Sequence, residues 1–275
     1  MELCVNYSEE VKELFEEGKI SFIDYLKLFS INGDLSPFDW CASKGKVMFH
    51  GLTGPGSNIA RTDFLENRDW KEQENYFTKG RVPHISCHIS LGYEDITFED
   101  EWKTIETIKR NVNKIRNLFD YDILLENMPV GKDEKQFFFL TKPDFISEVI
   151  KETNTYFLLD IAHARASAYS MEIPYMEYIK SLPLDRIKEI HLSGCNKNKY
   201  GDIIPNHDKM HEEDYEVLEY LLKECNELSV LTLEYGPYDM YTGKSFLEYG
   251  VTNEENKKDV YENLIRLKEV LNKLH

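Results

Sequence analysis

The stretch "LLDIAHARASA", Leu158–Ala168, begins as an apolar run, stops on the carboxylate of Asp160 and brings up an imidazole at His163. A short run apolar at every position reads as a strand buried on both faces, the kind that belongs to parallel sheets covered by crossover helices. Working outward, the same kind of segment recurs along the chain: "LCVNY" (3–7), "SFIDYLKL" (21–28), "KVMFH" (46–50), "HISCHIS" (84–90), "DILLEN" (122–127), "YFLLD" (156–160), "IKEIHL" (187–192) and "SVLTLEY" (229–235). Between them lie amphipathic stretches with apolar residues three and four apart, such as "EEVKELFEE", "DEWKTIETIKRNVNKIRNLF", "PDFISEVIKET" and "EEDYEVLEYLLKEC". Eight strands alternating with helices predict an α/β protein, a single (β/α)8 TIM barrel over residues 1–275, with irregular second and third loops in "SPFDWCASKG" and "GLTGPGSNIARTDFLENRDWKEQENYFTKG".

Composition agrees with a folded chain. Of its 275 residues 41% are hydrophobic and 30% charged, and no linker or low-complexity tract marks a boundary. With 50 Asp and Glu against 33 Lys and Arg, the formal charge of -17 repels phosphate backbones and anionic membranes, which disfavours a nucleic-acid partner. Cys4, Cys41, Cys87, Cys195 and Cys225 are odd in number and scattered, so they suggest neither a disulfide framework nor a thiolate zinc site. With no export signal or membrane-length apolar run at hand, the expectation is a cytoplasmic protein.

In a TIM barrel the chemistry lies where the strands end. Here the endings are His50 ("VMFHG"), His88 ("ISCHIS"), Glu126 ("LLENM"), Asp160 ("LLDIAH"), His191 ("EIHLSG") and Glu234 ("LTLEYG"). Period-two parity puts His84, Ser86 and His88 on the inward face of their strand, and Glu126 and Asp160 on the inward faces of theirs. His84 lies deeper and reads either as a residue that supports the ligands from behind or as a buried structural one. His163, in the loop after Asp160, and His207, in "IIPNHDKMH", can reach the same mouth.

Taken singly, a strand-end histidine is ordinarily a hydrogen-bonded core residue, and Glu126 before Asn127 reads equally well as a loop cap. Six at equivalent positions would need six separate buried partners, so a metal site is the stronger reading. Imidazole and carboxylate without thiolate suit iron, manganese or zinc, and so many donors imply two or three ions. Such a cluster could clamp a displacement at phosphorus or activate dioxygen, and the residues alone do not separate the two. Asn58 and Arg165 are candidates for substrate contact, Arg165 being equally suited to an ion pair with a surface carboxylate. The glycine-rich run 51–67 could move as a lid, and Cys195, His211 and His275 read as bystanders.

With these motifs in place, "FHG" (49–51), "SCHIS" (86–90), "LLENMP" (124–129), "LLDIAHARASA" (158–168), "EIHLSG" (189–194), "NHDKM" (206–210) and "TLEYG" (232–236), the chain resembles the multinuclear non-haem iron-dependent oxidative enzymes of the xylose-isomerase-like superfamily. The resemblance implies that His50, His88, Glu126, Asp160, His163, His191, His207 and Glu234 are metal ligands. Among them Glu126, Asp160 and Glu234 are the catalytic carboxylates. It further implies two or three irons that use dioxygen to modify a residue, Cys above all, of a ribosomally made peptide, with a small partner protein presenting that peptide. Two departures stand out: His163 where many members have Asn, and Pro205 where the usual Asp-x-His pattern has Asp, which leaves Asp202 or Asp208 as substitutes. The ligand set is also similar to that of endonuclease IV-type apurinic-site nucleases and, with fewer residues employed, to sugar isomerases and epimerases. A barrel that binds metal or peptide without turnover is a further alternative.

Overall fold

The computed structural model describes residues 1–29, 35–52, 57–66, 68–91, 100–236, 238–239, 244–245 and 253–273. The chain runs β1 (Glu2–Asn6), α1 (Glu9–Glu16), β2 (Tyr25–Phe29), α2 (Phe38–Lys44), β3 (Lys46–His50), α3 (Trp70–Gly80), β4 (His84–His88), α4 (Glu101–Leu118) and β5 (Asp122–Glu126). It continues through α5 (Phe138–Thr141), α6 (Pro143–Thr153), β6 (Tyr156–Asp160), α7 (Ile161–Ser170), α8 (Tyr175–Ser181), β7 (Ile187–Leu192), β8 (Gly194–Lys197), β9 (Ile203–Asp208), α9 (Glu212–Glu224), β10 (Val230–Leu233) and α10 (Glu254–Asn272).

Eight parallel strands form one sheet in the order β3-β2-β1-β10-β7-β6-β5-β4, curled into a nearly closed barrel. Its two end strands, β3 and β4, share no ladder. A side chain bridges them instead: Ser86 Oγ donates to Phe49 O (3.4 Å) and accepts from Gly51 N (3.2 Å). Above it, His88 N donates to Ser57 O and Ile59 N to His88 O, both at 2.9 Å, so residues 57–59 wedge into the seam. Gly51 makes this possible, because its φ of +85° suits glycine and a Cβ there would lie 1.9 Å from Ser57 Oγ.

Local signals place the helices. Ser8, Asp69, Asp100, Asp160 and Asn253 each accept a first-turn backbone N–H of the helix that follows, and Pro143 opens α6. Outward strand residues such as Val5, Leu28, Phe49, Ile85, Leu125, Leu159 and Ile190 pack under the helices in the main core. Inward ones form layers, with Cys4, Tyr25, Met48 and Val230 at the bottom.

Three expectations change. Helix α2 forms inside "SPFDWCASKG" and α3 inside the run expected to be the long third loop. The segment after Asp160 is the helix α7 rather than a turn. His207 lies on an antiparallel hairpin, β8–β9, rather than a loop. Of the proposed lid, residues 53–56 and 67 fall outside the described residues, as does His275.

Candidate metal centre

The eight residues singled out above converge at the C-terminal mouth of the barrel. All are buried except His207, which is half-buried. His50, Glu126, His191 and Glu234 each offer a donor atom within 4.8 Å of the others, and Asp160, His163 and His207 form a second such group. Glu126 lies between them: its Oε2 is 3.5 Å from His50 Nε2 and 3.3 Å from His88 Nε2, while its Oε1 is 3.5 Å from His191 Nδ1 and 3.6 Å from His163 Nδ1. His88 thereby joins the first group, its ring 4.8 Å from that of His50.

His88 Nε2, both Glu126 oxygens, Asp160 Oδ2, His191 Nδ1 and Glu234 Oε2 are buried with no aligned hydrogen bond, although His191 Nδ1 is only 2.6 Å from Glu234 Oε2. Buried polar atoms left so cost about 1–3 kcal/mol each. Lone pairs directed at common points fit cations held by oxygen and imidazole nitrogen.

Surrounding bonds decide which nitrogen each ring presents. His163 Nδ1 is 2.9 Å from Asn127 O, which as an acceptor requires the proton on Nδ1 and leaves Nε2 bare, 3.7 Å from Asp160 Oδ2. Asn127 also fixes Asp160, donating from Nδ2 to its carbonyl (3.0 Å) and accepting from its N–H (2.9 Å). Asp160 Oδ1 in turn caps α7 through His163 N (2.7 Å), so one carboxylate starts the helix and turns its other oxygen into the site. His191 has Nε2 below, 2.5 Å from Lys27 Nζ and 3.2 Å from Glu189 Oε1, and Nδ1 above, 2.6 Å from Glu234 Oε2.

That lower layer was not foreseen from the sequence. Lys27 Nζ donates to Glu189 Oε1 (2.5 Å), as does Thr232 Oγ1 (2.5 Å), and His84 Nε2 meets Glu189 Oε2 at 2.6 Å. Its signal was parity: Glu189 precedes His191 by two residues on the same face, and Lys27 interrupts the apolar β2. The expectation of a buried structural role for His84 agrees with this place.

The electrostatics follow. Burial pushes Glu126 upward, but the imidazoles of His191, His88 and His50 outweigh it and hold the carboxyl well below its usual range. Asp160, buried and facing Glu234, is pushed up to about 7. Burial lowers His50 and His163, whereas at His191 burial and Lys27 are outweighed by Glu234 and Glu126, which hold it well above its usual value.

The secondary candidates separate. Asn58 lines a cavity of about 240 Å³ beside the ends of β4 and β5, walled by Ile89, Leu91, Met128 and Val130. Arg165 pairs with Asp214 (3.0 Å) and Glu213 (3.3 Å) of α9 and lies over the Tyr175 ring, the ion-pair arrangement of the two considered for it. Neither acidic substitute for the missing Asp joins the second group. Asp208 bonds Asn196 and Lys209 N, and Asp202 bonds Asn198 and Lys132. Cys195 is buried, its Sγ donating to Ala162 O.

Comparison with known proteins bears on this geometry. Residues 31–236 match the model of the family described as RiPP precursor modification enzyme MbnB/TglH/ChrH. A UPF0276 protein of Psychromonas ingrahamii is 28% identical over 163 residues, covering 57% of this chain and 56% of that one. The chain spans about half the length, or less, of the curated relatives it matches. Among solved structures, the IOLI protein with a bound zinc atom superposes with a TM-score of 0.64 at 16% identity, over 97% of each chain. A D-tagatose 3-epimerase-like protein gives 0.62 at 16% identity over 99% of each. Both likenesses are of fold, the eight-stranded parallel barrel with its helices. Among the described residues no helix is long and apolar enough to cross a membrane.

Proposed function

Since this chain belongs to the MbnB/TglH/ChrH family of RiPP precursor modification enzymes, we propose that it is a multinuclear iron enzyme using dioxygen to oxidise a residue, Cys in particular, of a ribosomally made peptide. The observation that carries this reading is the pair of adjacent donor groups at the barrel mouth, Glu126 Oε1 of the first lying 3.6 Å from the His163 ring of the second. His50, His88, Glu126, His191 and Glu234 would hold one ion and Asp160, His163 and His207 another, with Glu126 and Asp160 at the junction. Iron bound there would supply dioxygen activation and a Lewis-acidic position for the substrate's donor atom.

The protein's own part is to bind, orient and exclude water. Asn127 and the Lys27–Glu189 pair fix the rings of His163 and His191, so the donors are set before any ion or substrate arrives. The cavity bordered by Asn58, of mixed polar and apolar lining, opens next to the His88 and Glu126 strand ends and suits a peptide side chain flanking the reacting residue. A small partner protein presenting the peptide is part of the proposal.

Metal analysis of protein purified without oxygen tests it. At least two irons per chain are expected, together with dioxygen uptake that depends on a Cys-containing peptide. Less than one iron with zinc in its place, and incision of abasic DNA at physiological salt, would overturn the reading in favour of a nuclease.

A further inference from the structure

Around the barrel mouth, one polar strand-end side chain belongs to neither donor group. Asn6 ends β1, is 1% exposed, and both its Nδ2 and its Oδ1 lack a hydrogen-bond partner among the described residues. It shares the inward parity of Cys4, which packs against Tyr25, Met48 and Val230 inside the barrel. Its register partner on β2 is Lys27, and one step beyond the Val5–Leu233 pairing it comes beside Glu234 of the first donor group.

An orphaned carboxamide here needs an explanation. The neighbouring polar layer is satisfied within itself, Lys27, Thr232 and His84 all bonding Glu189. An unmet buried polar group is destabilising, and leucine, of similar shape, would remove both. Asn6 is neutral and offers a donor and an acceptor together. Its complement is a ligand that accepts at one atom and donates at a nearby one.

We infer that Asn6 is a substrate-binding residue that grips a peptide cysteine at the first donor group, Nδ2–H donating to the thiolate sulfur and Oδ1 accepting the same residue's backbone N–H. The inference rests on the proposed thiol-oxidising function and adds to it the residue that reads the cysteine as part of a peptide. No bond is made or broken in this contact.

The test uses the full chain loaded with cobalt(II), titrated with N-acetylcysteine methylamide and with ethanethiol, following the thiolate-to-cobalt charge-transfer band. Asn6→Leu is expected to weaken the capped cysteine by about tenfold, the scale of hydrogen bonds to a charged group, and ethanethiol by less, because ethanethiol has no backbone N–H. Cobalt content should be unchanged. Asn6→Asp, which sets a carboxylate against the thiolate, should weaken both thiols, and Asn6→Ser provides a second uncharged variant should the leucine variant fold poorly. Equal affinity for the capped cysteine in wild type and the uncharged variants would overturn the inference, leaving Asn6 a water-binding group. Loss of cobalt in those variants would overturn it in another way, making Asn6 part of the metal-holding set. Absence of a charge-transfer band with either thiol in the wild type would sink the thiol-oxidising reading itself and the inference with it.

Discussion

Replacing Lys27 by Met tests how the floor of the site is held. Lys27 Nζ lies 2.5 Å from Glu189 Oε1, with both side chains 0% exposed, so water screens neither charge. Removing one partner of such a pair leaves the other buried and uncompensated, typically at a cost of about 3–5 kcal/mol. Thr232 Oγ1 and His84 Nε2 still bond Glu189, which places Lys27→Met near the lower end, about 3 kcal/mol. Urea unfolding of the metal-free protein should show it as a midpoint lowered by roughly 1 M or more. The double variant Lys27→Met, Glu189→Leu removes both charges but leaves Thr232 and His84 without Glu189, so it should recover part of the loss. A single-variant loss under about 1 kcal/mol, or a double variant as unstable as the two single losses added, would refute the reasoning.

Two further outcomes follow from the geometry. Arg165→Ala should cost about 1–3 kcal/mol through the lost, largely buried pair with Asp214 while leaving metal content unchanged; metal analysis and urea unfolding check both, and a fall in metal content would return Arg165 to the site. Gly194→Ala places a Cβ 2.0 Å from Lys209 O, so the β8–β9 hairpin must shift and His207 with it; metal stoichiometry should fall by the ion assigned to Asp160, His163 and His207, and an unchanged count would show that His207 holds no ion.

Much of the barrel was legible because its strands are short, apolar and bounded: β3, β6 and β7 match the stretches read from sequence residue for residue. The strand ends were legible for the same reason, since parity alone turns Glu126 and Asp160 inward. Helix α7 was not. Ile161, Ala162, His163, Ala164, Ala166, Ser167 and Ala168 are all buried, so it has no polar face and lacks the period by which a surface helix is recognised. Lys27 was hidden differently, because a lysine in a strand looks solvated until its partner, 162 residues away, is found. The Asn6 carboxamide has no hydrogen-bond partner among the described residues, and only the fold reveals that as unusual.

The gap between β3 and β4 gives the donor groups a mechanical meaning. His50 ends one of these strands and His88 the other, so the two imidazoles face each other across the only pair of neighbouring barrel strands, among the described residues, that no ladder joins. An ion gripped by both would be the missing rung, fastening the first and last strands of a sheet that the backbone leaves unbuckled. Metal loading and barrel closure would then be one event, and amides of β3 and β4 would gain hydrogen-exchange protection on loading that strands far from the seam would not share.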